Sequence, residues 1–164
     1  MTSLTARLVA ELRARHQTVA TAESLTAGLL SAELAAVPGA SAVLRGGLVV
    51  YATELKATLA GVDPGLLAAH GAVHPQVAVQ LAIGARDRCG ATWGLGLTGV
   101  AGPDPQDGVS PGTVYLGLAG PGVAEVTELG LTGDRQAVRA ASVRAALESL
   151  LNAVTSGDLH SGVP

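Results

Sequence analysis

The chain has 164 residues, with 13 acidic and 10 basic side chains and a formal net charge of −3. This length fits one domain that can bury a complete core. The negative charge argues against a nucleic-acid-binding surface, and the single cysteine, Cys89, excludes an intrachain disulfide. Hydrophobic residues make up 48% of the chain but aromatic residues only 2%, so small aliphatic side chains must let helices approach the sheet closely.

Charged residues interrupt every apolar segment in the first third of the chain. Arg7 and Glu11 exclude a signal peptide, and Glu33 and Arg45 divide the next apolar stretch. No segment reaches the roughly 20 apolar residues that a membrane span needs. We therefore expect a cytoplasmic protein with no membrane partner.

Helical and strand patterns alternate through the first half. Leu4, Leu8 and Leu12 recur at helical spacing, with Ser3 as a possible cap. The elements predicted after this helix are a strand at 18–22, a helix opened by Ser24 and ending near Pro38, a strand at 48–50 ending at Tyr51, a short helix at 53–60, and a helical piece ending at Gly71.

The pattern in the second half of the chain predicts one long helix, three strands and a final helix. Pro75 suits the first turn of a helix that runs to about Arg88. The later predictions are a strand at 92–98, a loop at 99–112, strands at 112–119 and 123–131 joined as a hairpin, and a last helix capped by Asp134. We expect an α/β sandwich with a mixed sheet in one domain over residues 1–155, followed by a flexible tail at 156–164.

Three polar side chains lie at the ends of predicted strands. Ser24, Tyr51 and Thr98 each stand at or just past the end of one. In open α/β sheets, ligands bind outside the carboxyl ends of the strands. If these strands are parallel, the three side chains converge on one crevice.

Ser24 and Lys56 are the candidates for nucleophile and base. A helix beginning at Ser24 would offer backbone N–H groups to an oxyanion, although serine is also a common helix cap. Lys56 is the one lysine beside nine arginines, and a buried lysine can become a general base. A solvated surface lysine is the alternative.

The other candidates also have two interpretations. Tyr51 can orient the lysine or pass a proton, or be a half-buried strand tyrosine. Thr98 can bind substrate or simply end a strand. Arg135 and Arg139 lie one turn apart and can bind phosphate or form a solvated face.

Three further patterns give weaker signals. The GxGxxG match at Gly94, Gly96 and Gly99 lies within a strand and leads into a proline-rich loop, which argues against a dinucleotide fingerprint. The following segment, 99–103, can bring backbone N–H groups to a phosphate or be a plain turn. His70 and His74 are separated by Gly71, so we expect no metal site.

Several short motifs occur in a fixed order over about residues 5–150. In chain order they are AESLTAG at 22–28, Tyr51 through Lys56 followed by LAGV at 59–62, HGAV at 70–73, LTGVAGP at 97–103, GTVY at 112–115, and GDR at 133–135 with Arg139. Together they resemble the motifs of the CinA C-terminal domain family, which includes stand-alone nicotinamide-nucleotide amidases.

The resemblance implies a three-layer α/β/α sandwich with a mixed, mostly parallel sheet and one antiparallel hairpin strand. It implies hydrolysis of the carboxamide of nicotinamide mononucleotide, with no metal or cofactor. The small-molecule partner would be a pyridine nucleotide, and a homodimer is compatible with the family. Catalytic roles fall on Ser24, Tyr51 and Lys56. The substrate-binding positions implied by the same motifs are Thr26, Thr98, Gly99, Gly102 and Arg135.

The chain departs from the family motifs beside the implied site. Leu25 replaces the cysteine, and Ala27 one glycine, of AESCTGG, and Thr53 replaces an asparagine. His74 replaces the serine after GAV. These changes leave open two alternatives: a nucleotide-binding or protein-interaction module without turnover, or an amidase for another small amide. Longer family members carry a further N-terminal domain, which we do not expect in a chain of this length.

Overall fold

The computed structural model of the chain describes residues 1–156. This part of the chain folds into helices and strands that alternate as predicted. In chain order they are α1 (Leu4–Ala14), β1 (Val19–Glu23), α2 (Leu29–Ala35), β2 (Leu44–Val49), α3 (Thr53–Thr58), α4 (Pro64–His70), α5 (Pro75–Cys89), β3 (Trp93–Gly99), β4 (Thr113–Gly120), β5 (Val123–Gly130) and α6 (Arg135–Ser156).

The five strands form one mixed sheet in the order β2-β1-β3-β4-β5. β1 is parallel to both β2 and β3, whereas β4 is antiparallel to β3 and to β5. Only β4 therefore runs against the other strands. This arrangement confirms the mixed, mostly parallel sheet with one antiparallel hairpin strand.

Helices cover both faces of the sheet, so the domain has the three expected layers. One core cluster joins α1, α2 and α6 to the sheet through residues such as Leu8, Leu34 and Leu150. A second cluster joins α5 to β1 through residues such as Leu81 and Ala22. Both clusters consist mainly of aliphatic side chains, as the composition predicts.

Glycines let α5 lie directly on the sheet. A Cβ atom placed on Gly94 would meet the backbone of Ala82, and one on Gly96 or Gly117 would meet the backbone of Ala78. These strand glycines are therefore sites of close helix–sheet approach. This packing role accounts for two glycines of the GxGxxG pattern without a nucleotide.

The predicted side-chain caps are confirmed at the first helix, α1, and at the last helix, α6. The Ser3 hydroxyl accepts a hydrogen bond from the Ala6 N–H at 3.1 Å, at the start of α1. The Asp134 carboxylate accepts from the Ala137 N–H at 2.9 Å, at the start of α6. Within residues 1–156, no helix combines the length and apolar character needed to cross a bilayer.

Many element boundaries differ from the prediction by one or two residues, and the starts of β2 and α2 differ by more. β2 begins at Leu44, because backbone pairing with β1 draws Gly46 and Gly47 into the sheet despite their weak strand propensity. α2 begins at Leu29 and not at Ser24. α6 continues to Ser156, and the rest of the predicted tail, 157–164, lies outside the described residues.

Candidate active site

The carboxyl ends of the parallel strands surround a cavity of about 420 Å³. β1 lies between β2 and β3, so Ser24, Tyr51 and Thr98 meet at one edge of the sheet. The predicted residues on the cavity wall are Ser24, Tyr51, Thr98, Gly99, Gly102 and Arg135. Lys56 and Thr26 do not line the wall. A volume of this size is typical of small-molecule sites.

Ser24 begins a tight turn and not a helix. Its N–H donates to the Leu97 carbonyl at 2.9 Å, which fixes the turn to the end of β3. Residues 24–28 then form turn structure, in which the Ala27 N–H donates back to the Ser24 carbonyl at 3.0 Å. Ser24 is nearly buried, and within residues 1–156 no group forms a hydrogen bond with its hydroxyl.

Glu23 occupies the N-terminus of α2. Its fully buried carboxylate accepts hydrogen bonds from the Leu30 N–H at 2.9 Å and from the Ser31 N–H at 3.0 Å. The Ser31 and Thr21 hydroxyls also donate to it, at 2.8 and 3.1 Å. The prediction that the N–H groups of this helix hold an oxyanion at Ser24 is therefore wrong.

The Glu23 carboxylate is expected to stabilise the fold substantially. In Glu23→Gln, an amide NH₂ would face N–H donors, and we expect the free energy of unfolding to fall by about 1.5–3 kcal/mol. Urea denaturation measures this loss. Glu125→Gln, on an exposed position of β5, is the matched control and should stay within about 0.5 kcal/mol. Equal losses in both variants would contradict the capping role.

Lys56 is buried on α3, with 1% of its surface exposed. Its Nζ donates to the Val50 carbonyl at 2.8 Å and to the Tyr51 carbonyl at 3.2 Å. Burial lowers the pKa of the ammonium from 10.5 to about 8, and the Glu54 carboxylate opposes part of this shift. The interpretation of Lys56 as a solvated surface lysine is therefore wrong.

Backbone hydrogen bonding links the segment that accepts from Lys56 to the segment that carries Ser24. The N–H of Val50 donates to the Glu23 carbonyl at 2.9 Å, and this carbonyl belongs to the peptide bond that precedes Ser24. The carbonyl of Val50 accepts from Lys56 Nζ. Two consecutive hydrogen bonds therefore connect the amine to the backbone of the candidate nucleophile.

Arg135 bridges two sides of the cavity. One Nη donates to the Tyr51 hydroxyl oxygen at 2.8 Å and the other to the Gly102 carbonyl at 2.8 Å. Tyr51 is 55% exposed, so its ring stands at the cavity mouth and its hydroxyl proton remains available. Arg135 thereby joins the start of α6 to the loop after β3.

Thr98 and Thr26 differ in their hydrogen bonding. The buried Thr98 hydroxyl donates to the Ala72 carbonyl at 2.7 Å and so fixes the loop before α5 against β3. The Thr26 hydroxyl is completely buried, and no partner for it exists among the described residues. Thr98 therefore shapes the wall, while Thr26 lies behind it.

Arg139 holds the turn that carries Ser24. Its Nε donates to the Leu25 carbonyl at 2.9 Å and one Nη to the Thr26 carbonyl at 3.2 Å. Its other Nη donates to Gln136 at 3.1 Å. The two side chains have different partners, which argues against one shared phosphate clamp, and Arg135 is exposed whereas Arg139 is only partly exposed.

Comparison with known proteins identifies the family. The model of the CinA C-terminal domain matches residues 1–154. The chain belongs to the CinA C-terminal domain family. A CinA-like protein of Frankia casuarinae is 53% identical over 134 residues, which are 82% of this chain and 31% of that protein. A putative competence-damage inducible protein of Geobacillus is 46% identical, over 81% of this chain and 32% of its own.

Solved structures of the CinA superfamily share the fold. A CinA superfamily protein from Klebsiella pneumoniae has a TM-score of 0.90 and 33% identity, with 93% of this chain and 96% of that chain covered. A CinA superfamily protein from Escherichia coli has a TM-score of 0.89 and 31% identity, with coverages of 93% and 89%. The chain spans about a third of the length of the curated relatives that it matches.

This CinA domain adopts an uncommon backbone conformation beside Ser24. Ala27 has a φ of 48° and Gly28 a φ of 97°, so two consecutive residues are left-handed. Alanine pays a steric cost in this region that glycine does not. The hydrogen bonds of the turn, including the one from the Ala27 N–H to the Ser24 carbonyl, therefore hold Ala27 in this conformation.

Proposed function

We propose that this CinA domain hydrolyses the carboxamide of nicotinamide mononucleotide to nicotinic acid mononucleotide and ammonia. The observation that carries the proposal is the Ser24 hydroxyl, which has no partner within residues 1–156 and lies on a cavity shared with Tyr51, Thr98 and Arg135. These four residues occupy the positions to which the family motifs assign the nucleophile and its companions. The established family membership supports a CinA-type function.

Lys56 supplies the base in this mechanism. A neutral amine has two N–H donors and one lone pair, and the Val50 and Tyr51 carbonyls match the two donors. The lone pair then remains to accept a proton. A pKa of about 8 places a useful neutral fraction near neutral pH, where a general base works best.

The reaction proceeds through an acyl-enzyme. Lys56 takes the proton of Ser24 as the serine oxygen bonds to the carboxamide carbon. The carbon–nitrogen bond then breaks, and the proton passes through Lys56 or Tyr51 to the departing ammonia. Water adds to the ester, releases the carboxylic acid and regenerates the serine hydroxyl.

Arg135 gives the cavity a binding group for an anion. Guanidinium has five N–H donors, and the bonds to Tyr51 and Gly102 use two of them. Among the described residues of the cavity wall, Arg135 carries the one guanidinium. This supports a substrate with a negative group, such as the phosphate of a mononucleotide.

Product analysis tests the reaction and its competitors. We expect the purified chain to release ammonia and nicotinic acid mononucleotide in a 1:1 ratio from nicotinamide mononucleotide, as measured by mass spectrometry. Nicotinamide and nicotinamide riboside, which lack the phosphate, should react poorly. Nucleotide binding without ammonia release would favour a binding module, and preferred release from another amide would redirect the substrate assignment.

We further propose that the domain acts in the cytoplasm as a homodimer. The free thiol of Cys89 is compatible with a reducing compartment. Light scattering on the purified chain measures the assembly, and a monomer at all concentrations would contradict the dimer.

A further inference from the structure

The turn at residues 24–28 is here called the Ser24 turn. One side of its backbone presents carbonyls that have hydrogen-bond partners, and the other side presents N–H groups that have none in the described part of the chain. The carbonyls of Leu25 and Thr26 accept from Arg139, and the Thr26 carbonyl also accepts from the Leu29 N–H at 3.0 Å. Within residues 1–156, no acceptor pairs with the N–H groups of Leu25 or Thr26. The side of the turn with available donors is therefore distinct from the side held by Arg139.

Peptide geometry links the two sides. In a trans peptide unit, the C=O of one residue and the N–H of the next point in opposite directions. The bond from Arg139 to the Leu25 carbonyl therefore directs the Thr26 N–H away from α6. In the same way, the Ser24 carbonyl is taken by the Ala27 N–H, which directs the Leu25 N–H outward from the turn.

A backbone N–H of a turn that has no acceptor within the protein can bind an anion. Leu25 follows the candidate nucleophile directly and lines the cavity with it. Hydrogen bonding from a guanidinium to a carbonyl also polarises that peptide unit and strengthens its N–H as a donor. Glu23 contributes by occupying the helix donors that would otherwise compete for the anion.

We propose that Arg139 is a positioning residue that holds the Ser24 turn so that the Leu25 N–H binds the oxyanion formed at Ser24. The proposal rests on the proposed function for the identity of the nucleophile. Arg139 itself does not touch substrate, because Arg139 is absent from the cavity wall and its guanidinium bonds lead to Leu25, Thr26 and Gln136. Its role is therefore separate from that of Arg135.

The test compares Arg139→Gln, Arg139→Lys and the control Arg144→Gln. Arg144 lies on the same helix, with an exposed side chain that pairs only with Glu148 among the described residues. Loss of an oxyanion donor typically lowers kcat about 10²- to 10³-fold. We expect such a loss in kcat for Arg139→Gln with KM changed less than about twofold, partial recovery in Arg139→Lys, and no change in Arg144→Gln.

A second readout separates this proposal from the substrate assignment. A fluorophosphonate reacts with an activated serine to form an oxygen–phosphorus bond with loss of fluoride, and its phosphoryl oxygen occupies the oxyanion site. We expect intact-mass measurements to show slower labelling of Ser24 in Arg139→Gln than in the wild type. If no variant releases ammonia but this difference persists, only the substrate assignment fails. Equal labelling rates, or a change in KM alone, would overturn the positioning role.

Discussion

Substitution of Lys56 by methionine is expected to lower kcat/KM for nicotinamide mononucleotide by about 10²- to 10⁴-fold, the usual contribution of a general base. Methionine keeps an unbranched side chain but has no proton acceptor of comparable strength. The buried Nζ and its bonds to Val50 and Tyr51 would be lost together. Circular dichroism must show native helix content in the variant, so that the kinetic loss reports on chemistry.

The dependence of the rate on pH also tests Lys56 as the general base. Burial lowers the pKa of Lys56 to about 8, and the neutral amine is the base. The rate should therefore fall about tenfold per pH unit below pH 8 and level off above it. Lys56→Arg, which retains a cation that does not deprotonate, is the matched control and should remain inactive over this range. A wild-type profile without an inflection near pH 8 would contradict Lys56 as the base.

Substitution of Arg135 by methionine is expected to raise KM about 10- to 100-fold, with a smaller effect on kcat. The variant loses the hydrogen bonds to the Tyr51 hydroxyl and the Gly102 carbonyl that hold the guanidinium at the cavity. It also removes the cation proposed to meet the substrate phosphate. Steady-state kinetics with nicotinamide mononucleotide measures both constants.

Two controls define the result for Arg135. Arg144→Met removes an arginine of the same helix whose side chain is 75% exposed, and its KM should be unchanged. Arg135→Lys keeps the charge, but a single ammonium does not reproduce the planar fork that reaches both Tyr51 and Gly102. A normal KM in Arg135→Met would show that neither the bridge nor the cation contributes to substrate binding.

The features predicted correctly from sequence depend on local chemistry or on strand order. Ser3 and Asp134 are predictable as helix caps because a side-chain oxygen at that position meets the first free N–H groups of a helix. The meeting of Ser24, Tyr51 and Thr98 at one edge follows from three parallel strands. Both inferences need only residue type and element order.

The features missed from sequence depend on contacts between distant segments. Serine is a favoured cap and therefore predicts a helix start at Ser24, but the left-handed Ala27 and Gly28 separate strand from helix. The sequence signal for this cap is a glutamate at the end of a strand, followed by a helix that has no capping side chain of its own. Arg139 bonds to carbonyls more than 110 residues earlier in the chain, and hydrophobic periodicity contains no record of such a bond.

The most direct test of the account is ammonia release from nicotinamide mononucleotide by the wild type and by Ser24→Ala. We expect turnover in the wild type and a loss of at least about 10³-fold in Ser24→Ala, since the nucleophile is gone. Ser41→Ala, at an exposed position, is the control and should keep full activity. Turnover in the wild type that persists in Ser24→Ala would contradict the serine mechanism, and no turnover in the wild type would contradict the proposed reaction.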